Sequence, residues 1–123
     1  MSESYKLGLD GEKMAVDYLT RNKYQILDQR WHLSHLEIDI VALDQTTGEL
    51  VFCEVKTRGN TIYGAPEEAV DYKKIMRSVH AADAYIKQEG RNEPWRFDII
   101  AIISANGGKH IQHFKEAFYP PLG

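Results

Sequence analysis

The sequence predicts one α/β domain, in which helices flank a mixed β-sheet and the elements follow the order α-β-β-β-α-β-β. Three observations predict this class. Two segments, at residues 10–22 and 71–89, carry apolar residues at helical spacing. Five other segments are rich in β-branched residues or alternate apolar with polar residues. The length of 123 residues suits one ordinary domain, so we expect a single domain over residues 1–123 with a core at about 8–114.

Composition and charge exclude several classes of protein. Lys and Arg number 15 against 18 Asp and Glu, which gives a net charge of -3. Proteins that hold nucleic acid mainly by phosphate contacts are usually basic, so such a function must depend on a local site. The single Cys53 excludes an internal disulfide framework and a Cys-based zinc site. Since no apolar leader or membrane-spanning run is present, we expect a cytoplasmic protein with no membrane partner.

The first helix is predicted over residues 10–22, where Asp10 can cap the N-terminus. Its apolar stripe consists of Met14, Ala15, Tyr18 and Leu19. Residues 24–31 follow as the first strand. Residues 36–43 and 50–56 are stronger strands, and residues 45–48 between them form a hairpin connection in which Gly48 can adopt a positive φ.

In the second half, residues 57–65 are predicted to form a loop, and Pro66 suits the first turn of a helix. A longer helix follows over residues 71–89. Its buried face is predicted to consist of Ile75, Val79, Ala82 and Ile86. The last elements are a strong strand over residues 96–103 and a short strand over 110–114, joined by a turn at Asn106-Gly107-Gly108.

Two of the predicted strands carry ionised residues where strands usually bury carbon. Glu37 and Asp39 share one face of the second strand, because strand side chains alternate, and Glu54 and Lys56 share one face of the third. The register of the pair follows from placing one apolar set on one side: Ile38, Ile40, Ala42, Val51, Cys53 and Val55. With a connection over residues 45–48, Asp39 lies opposite Glu54, and Glu37 lies opposite Lys56.

Two facing carboxylates repel each other unless something neutralises them. A hard divalent cation does so, since Mg²⁺ prefers one or two carboxylates together with water and phosphate oxygens. Lys56, on the same face as Glu54, can orient a water or stabilise charge on a phosphate. Acids and a lysine around a metal suit phosphodiester hydrolysis. The alternative is a solvated outer face with surface ion pairs, which a single Glu-x-Lys in a strand usually indicates.

The sequence also resembles a known family. Asp39 followed by Glu54-Val55-Lys56 is similar to the PD-(D/E)xK signature of restriction-endonuclease-like nucleases. More closely, the chain resembles the YraN family of small bacterial endonuclease-like proteins, over about residues 8–103. The matching stretches are Gly11-Glu12, opening the first helix, Glu37-Ile38-Asp39-Ile40-Val41-Ala42, Val51-Phe52, Glu54-Val55-Lys56-Thr57-Arg58, Ala69-Val70, Lys73-Lys74 and Arg96-Phe97-Asp98. The sequence departs from the pattern at Leu36, where the family usually has Gly, and at Ile38, where the signature has Pro.

The resemblance implies a restriction-endonuclease-like fold, similar to that of archaeal Holliday-junction resolvases and type II restriction enzymes. It implies that Asp39, Glu54 and a main-chain carbonyl near Val55 bind Mg²⁺ or Mn²⁺, and that Lys56 is the catalytic lysine. It also makes Glu12 the helix-borne acid that completes the site. An equally weighted alternative gives Glu12 a role with the helix dipole or with solvent.

Further candidates surround this set. Glu37 could approach the metal or hold Lys56. Four basic residues could contact phosphates, although a solvated face explains each of them singly: Arg58, Lys73, Lys74 and Arg77. Asp98 is predicted to cap its strand or pair locally with Arg96 or a nearby Lys, and Cys53 to lie in the core.

The leading hypothesis is a metal-dependent nuclease that acts on DNA, with branched or otherwise structured DNA as one candidate form. The first alternative is a nucleic-acid-binding accessory module that keeps this site without cleaving. The second is a structural or interaction domain with vestigial acids. A homodimer is also considered, because small nucleases of this kind often need two sites, yet no residue of the sequence proves an interface.

Overall fold

A five-stranded sheet forms the centre of the protein in the computed structural model, which describes residues 3–59, 72–105 and 107–118. The elements are α1 (Glu3–Arg21), β1 (Tyr24–Leu33), β2 (Leu36–Asp44), β3 (Leu50–Gly59), α2 (Tyr72–Glu89), β4 (Trp95–Ala105) and β5 (Gly108–Phe118). This order confirms the predicted α/β class and element sequence. No helix in these ranges is long and apolar enough to cross a membrane.

The strands lie in their chain order, from β1 to β5. All neighbours are antiparallel except β3 and β4, which run parallel, so the sheet is mixed as predicted. A parallel pair needs a crossover between its strands, and α2 belongs to this crossover.

The two helices cover opposite faces of the sheet, and each face has its own core. Ala15 and Leu19 of α1 pack with Val51 and Cys53. Side chains of α2 pack with the other face, which includes Leu50 and Phe52 of the same strand; these α2 residues are Ala81, Ala82 and Tyr85. The predicted core position of Cys53 is confirmed. Because both faces are covered by helices, charged side chains within the central strands, such as Glu54 and Lys56 of β3, are at least partly buried.

Several predicted boundaries and contacts were wrong. Helix α1 begins at Glu3, so Asp10 lies inside it and does not cap its N-terminus. Strand β5 is not short, because it has 11 residues and pairs with β4 over most of them. In α2, Ala82 is buried as predicted, whereas Ile75, Val79 and Ile86 are only half-buried, although Val79 and Ile86 pack against the α2-side core. Tyr85, which was not predicted on this face, is buried, and its hydroxyl donates to Asp28 at 3.4 Å. The predicted loop over residues 57–65 was wrong at its start, because β3 extends to Gly59; the rest of the loop and the helix start at Pro66 lie outside the described residues.

A buried ionic network ties β4 to the β2–β3 connection. The guanidinium of Arg96 donates to Asp98 (2.9 Å), as predicted, but also to Asp44 (3.0 Å). It also reaches Glu49, and the imidazole of His113 donates from Nε2 to Asp98 at 2.7 Å. Since Arg96 and Asp98 are 7% and 1% exposed, the charges stabilise one another rather than being solvated.

Candidate functional site

The register between β2 and β3 positions the site. Ile40 pairs with Cys53, and Leu43 pairs with Leu50. The backbone N–H of Asp44 donates to the carbonyl of Glu49 (2.9 Å) around a four-residue connection, where Gly48 has φ +78°. This confirms the predicted register. The ladder ends at Ile40 and Cys53, one position before Asp39 and Glu54 would pair.

Beyond the end of the ladder, the side chain of Asp39 takes over a backbone contact. Its Oδ2 accepts a hydrogen bond of 2.8 Å from the N–H of Val55. The carboxylate therefore lies against β3, next to the backbone of Val55. The ladder of β2 and β3 stops here, and the Asp39 side chain accepts from a backbone N–H of β3 one residue beyond Glu54.

One part of the parity argument was wrong. Ile40 and Ala42 pack on the α1 side with Val51 and Cys53, as predicted, and Val55 packs against the same cluster. Ile38, however, belongs to the cluster on the α2 side. The alternation of β2 therefore breaks at the site, which agrees with the ladder's end at Ile40.

Four acids influence one another around Asp39. The pKa of Asp39 is raised to about 6, mainly by burial and also by the negative charges of Glu12, Glu54 and Glu37, while the hydrogen bond from the Val55 N–H lowers it. All three glutamates thus lie near enough to act on Asp39, although they come from α1, β2 and β3. The structure thus brings the three glutamates near Asp39, while their roles at a metal site stay predictions.

Glu12 belongs to this group rather than to the start of a helix. Because α1 begins at Glu3, Glu12 lies well beyond the first turn, where the dipole acts on side chains. The predicted position of Gly11-Glu12 at the opening of the helix was therefore wrong. Glu12 instead forms an ion pair with Arg30 of β1, with Nε and Oε2 at 3.5 Å.

Gly11 brings α1 close to the site strand. A Cβ atom at this position would lie 2.6 Å from Oγ1 of Thr57, which is closer than real Cβ atoms come. The absence of a side chain at Gly11 therefore allows α1 to approach β3 directly beside Lys56, and it carries Glu12 with it.

Glu54 is also paired with a basic residue. Its Oε1 forms an ion pair with the ammonium group of Lys74 on α2. Both side chains are partly exposed, at 26% for Glu54 and 34% for Lys74. The predicted metal ligand and one of the predicted phosphate contacts are therefore in direct contact.

A cavity of about 330 Å³ opens beside these groups. Its lining includes the carboxylates of Asp39 and Glu54 with two basic residues of α2, Lys74 and Arg77. Buried apolar residues form its other walls, among them Ile38, Phe52 and Phe97. Glu37 and Asp39 also line an adjoining concavity that contains Glu12 and Arg30. The acids thus lie between two openings, each with basic side chains.

The remaining predicted residues are placed differently. Lys56 is 8% exposed and pairs with Ala101 in the sheet, so it is a buried lysine and not a solvated one. It follows Glu54 by two positions, but it is not among the described residues that line the cavity. Lys73 is exposed on α2 and does not line it either. Arg58 lies in β3, and its side chain is outside the described residues.

Sequence analysis missed three residues of the site. Ser78 and His35 line the cavity, and Arg30 holds Glu12. The spacing of Lys74 and Ser78, four residues apart on a helix, could have indicated Ser78. Arg30 had no such signal, because its contact with Glu12 joins two elements that the sequence leaves unconnected.

The donor set fits a divalent cation of the Mg²⁺ type. Asp39 and Glu54 line one cavity, and the crowding of negative charge around Asp39 is what a cation would relieve. In the described ranges, no three His, Cys, Asp or Glu side chains come together to hold a metal. The residues therefore suit an ion that keeps waters or takes phosphate oxygens, and not one enclosed by protein ligands alone.

Comparison with known proteins assigns the chain to a family. A family model described as "Uncharacterised protein family UPF0102" matches residues 11–102. The chain belongs to the UPF0102 family. Glu12, Asp39, Glu54 and Lys56 all fall inside the matched range. The resemblance inferred from the motifs is therefore confirmed at the level of the family.

UPF0102 relatives match nearly the whole chain. A UPF0102 protein of Bacteroides thetaiotaomicron is 52% identical over 122 residues, covering 99% of both chains. Another from Persephonella marina is 40% identical over 116 residues, covering 94% of this chain and 95% of the relative. Among solved structures, a repair endonuclease from Pyrococcus abyssi has a TM-score of 0.44 and 18% identity, covering 87% of this chain and 40% of that one.

Proposed function

We propose that this UPF0102 protein is a metal-dependent nuclease that hydrolyses phosphodiester bonds of DNA. The observation that carries the proposal is the crowding of Glu12, Glu37 and Glu54 around the half-buried Asp39, at the edge of a cavity with basic walls. Buried like charges destabilise a fold, and sites of catalysis are where they are commonly found.

Asp39 and Glu54, with the main-chain carbonyl of Val55, would hold Mg²⁺ or Mn²⁺, which when bound would activate water and neutralise charge on the phosphate. The N–H of Val55 fixes the Asp39 carboxylate through the 2.8 Å hydrogen bond, so the ligand needs little reorganisation. Glu12 and Glu37 add negative charge that favours a cation at this position.

The basic residues near the acids would bind the phosphates of the DNA substrate. Lys74 and Arg77 line the cavity on the α2 side, where they would contact phosphates of the strand to be cut. Arg58 and Lys73 would extend these contacts along the DNA. Lys56, two residues after Glu54, would stabilise the negative charge that develops on the scissile phosphate. Because the net charge is -3, binding must depend on this local set.

The test is cleavage of linear, nicked, flapped and four-way DNA by the purified protein with Mg²⁺ or Mn²⁺. We expect cleavage of at least one form, its loss in EDTA, and its loss in Asp39→Asn. Asp83→Asn, on the exposed part of α2, removes an equal charge away from the cavity and should cleave normally. A protein that cuts none of these substrates, or an Asp39→Asn variant that cuts as well as wild type, would contradict the proposal.

One observation favours an accessory nucleic-acid-binding module instead. Lys74 already neutralises Glu54, so this part of the site does not require a metal for stability. Such a module would bind DNA with a steep dependence on salt but would not cleave it in Mg²⁺. The homodimer and the cytoplasmic location stay predictions, and sedimentation of the purified protein would test the first of them.

A further inference from the structure

Two acids near Asp39 are each held by a basic residue from another element. Glu54 of β3 pairs with Lys74 of α2, and Glu12 of α1 pairs with Arg30 of β1. Lys74 and Arg30 are 34% and 52% exposed, so both pairs are open to solvent and to ligands. Ion pairs of this exposure contribute about 1 kcal/mol or less, so exchanging their partners costs little.

The two basic residues lie on different sides of Asp39. Lys74 lines the cavity that contains Asp39 and Glu54. Arg30 and Glu12 line the adjoining concavity, which also reaches Asp39. A phosphate held next to Asp39 would therefore have one basic side chain on each side.

The backbone at Arg30 supports a specific placement of this side chain. Residues two apart in a regular strand share a face, yet Asp28 contacts Tyr85 of α2 while Arg30 contacts Glu12 of α1, across the sheet. Arg30 has φ +53°, in the left-handed region that non-glycine residues seldom adopt. Between Asp28 and Arg30, alternate side chains of β1 change from the α2 side of the sheet to the α1 side. The guanidinium of Arg30 is thereby directed toward Glu12.

We propose that Lys74 and Arg30 are phosphate contacts whose charges Glu54 and Glu12 partly cancel until a divalent cation binds at Asp39 and Glu54 and weakens both ion pairs. The inference rests on the proposed function and deepens it by coupling the metal to the DNA. A cation bound by Asp39 and Glu54 replaces Lys74 at Glu54 and, through its positive charge, weakens the attraction of Glu12 for Arg30. Both basic side chains then become available to phosphate, so metal and DNA each strengthen the binding of the other. Without the metal, the same basic charges are partly cancelled within the site.

The main measurement is made without metal, because a divalent ion also competes for DNA phosphates. Binding of a fluorescent four-way DNA junction is measured in EDTA over a range of NaCl concentrations. Glu54→Gln removes the charge that holds Lys74. We expect it to bind more tightly than wild type, with the slope of log Kobs against log[NaCl] steeper by about 1, as for one added phosphate contact. Adding Lys74→Ala to this variant should remove the gain.

Asp83→Asn is the matched control, because Asp83 pairs with Lys87 on the exposed part of the same helix. It makes the same change in net charge and releases a lysine, but outside the cavity. If Glu54→Gln only matches Asp83→Asn, the gain reflects net charge and the inference is wrong. Far-UV circular dichroism of each variant establishes that the helices are retained.

Glu12→Gln tests Arg30 in the same way and independently. It should also steepen the salt slope by about 1 in EDTA, and Arg30→Ala in that background should reverse the change. If neither Glu variant changes DNA affinity or the salt slope, the inference is wrong. The proposed function would still stand, because it is tested by cleavage in the wild type. Wild type that binds no DNA with or without Ca²⁺ overturns both.

Discussion

Oδ2 of Asp39 accepts the backbone N–H of Val55 at 2.8 Å, directly beyond the last ladder pair of β2 and β3. A side chain thus replaces a backbone acceptor where the β2–β3 ladder ends. The contact holds a carboxylate in a partly buried place where Glu12, Glu37 and Glu54 also act on it. Ionisation of Asp39 therefore lowers the free energy of unfolding of the protein.

Asp39→Asn should stabilise the protein at neutral pH. The pKa of Asp39 is raised from 3.8 to about 6, so the native state holds its proton more tightly than the unfolded state. Stability is therefore lost as pH rises from about 4 to about 6 and stays low above that. The Asn variant, which keeps an oxygen for Val55, should gain up to about 3 kcal/mol over wild type at pH 7 and little at pH 4. Urea unfolding at both pH values measures this, and an equal difference at both would contradict it.

Metal should stabilise the wild type, and protons should oppose it. If Asp39 and Glu54 bind Mn²⁺, the free energy of unfolding rises by about 1.4 kcal/mol at ten times the Kd. Below pH 6 the protonated Asp39 is no longer a ligand, so the increase in Tm should disappear at pH 5. Thermal melts with millimolar Mn²⁺ at pH 7.5 and pH 5 test both effects. Asp39→Asn should show no increase at either pH, and an increase that it retains would place the metal elsewhere.

Lys56→Ala should reduce cleavage far more than DNA affinity. A group that acts mainly in the transition state typically contributes about 10²–10³ in rate, whereas one phosphate contact changes the salt slope by about 1. Because Lys56 is 8% exposed, its removal also creates unfilled space, and Lys56→Met serves to keep the buried stem. Lys87→Ala, at an exposed position of α2 outside the cavity, is the control. Undiminished cleavage by both Lys56 variants would show that Lys56 is not the catalytic lysine, and Lys73 would be tested next.

Gly11→Ala should destabilise the protein through Thr57. The new Cβ would lie 2.6 Å from Oγ1 of Thr57, and overpacking of this kind costs about 1–3 kcal/mol against roughly 1 gained in helix propensity. The cost should disappear in a Thr57→Ala background, where the obstructing oxygen is absent, and persist in Thr57→Ser, which retains it. Urea unfolding of the double-mutant cycle measures the coupling. A cost independent of residue 57 would show that Thr57 is not the obstacle.

Arg96→Met should be the most destabilising of these changes. It leaves Asp98 and Asp44, which are 1% and 3% exposed, without their guanidinium, a loss of about 3–5 kcal/mol. Arg91→Met removes the more exposed pair with Glu93 and should cost about 1 kcal/mol or less. Thermal unfolding of the two variants compares them directly. Similar losses would mean that the buried network adds nothing beyond a surface pair.

The sequence predicted the strand register well, because the constraints on it are local. The apolar parity of β2 and β3 and the flexible Gly48 together determine the pairs from Ile40–Cys53 to Leu43–Leu50. Parity failed at Ile38, where β2 leaves the ladder and alternation no longer decides which core a side chain joins.

Contacts between distant elements could not be predicted in this way. Lys74 was expected to contact phosphate, but its pairing with Glu54 depends on how α2 lies over β3. The pair of Glu12 and Arg30 depends likewise on the close approach of α1 at Gly11. The sequence indicates which residues are chemically suited to a site, while the packing of helices determines which of their charges already cancel.

The parallel pairing of β3 with β4 also bears on the order in which the protein folds. Strands β1 to β3 are joined by short connections and can associate early, which brings Asp39 near Glu54. The parallel pair must wait for closure of the longer crossover that contains α2, and with it Lys74. A folding intermediate formed from the first three strands would therefore carry the repelling acids before their lysine arrives, so dissolved cations should accelerate the early steps of folding.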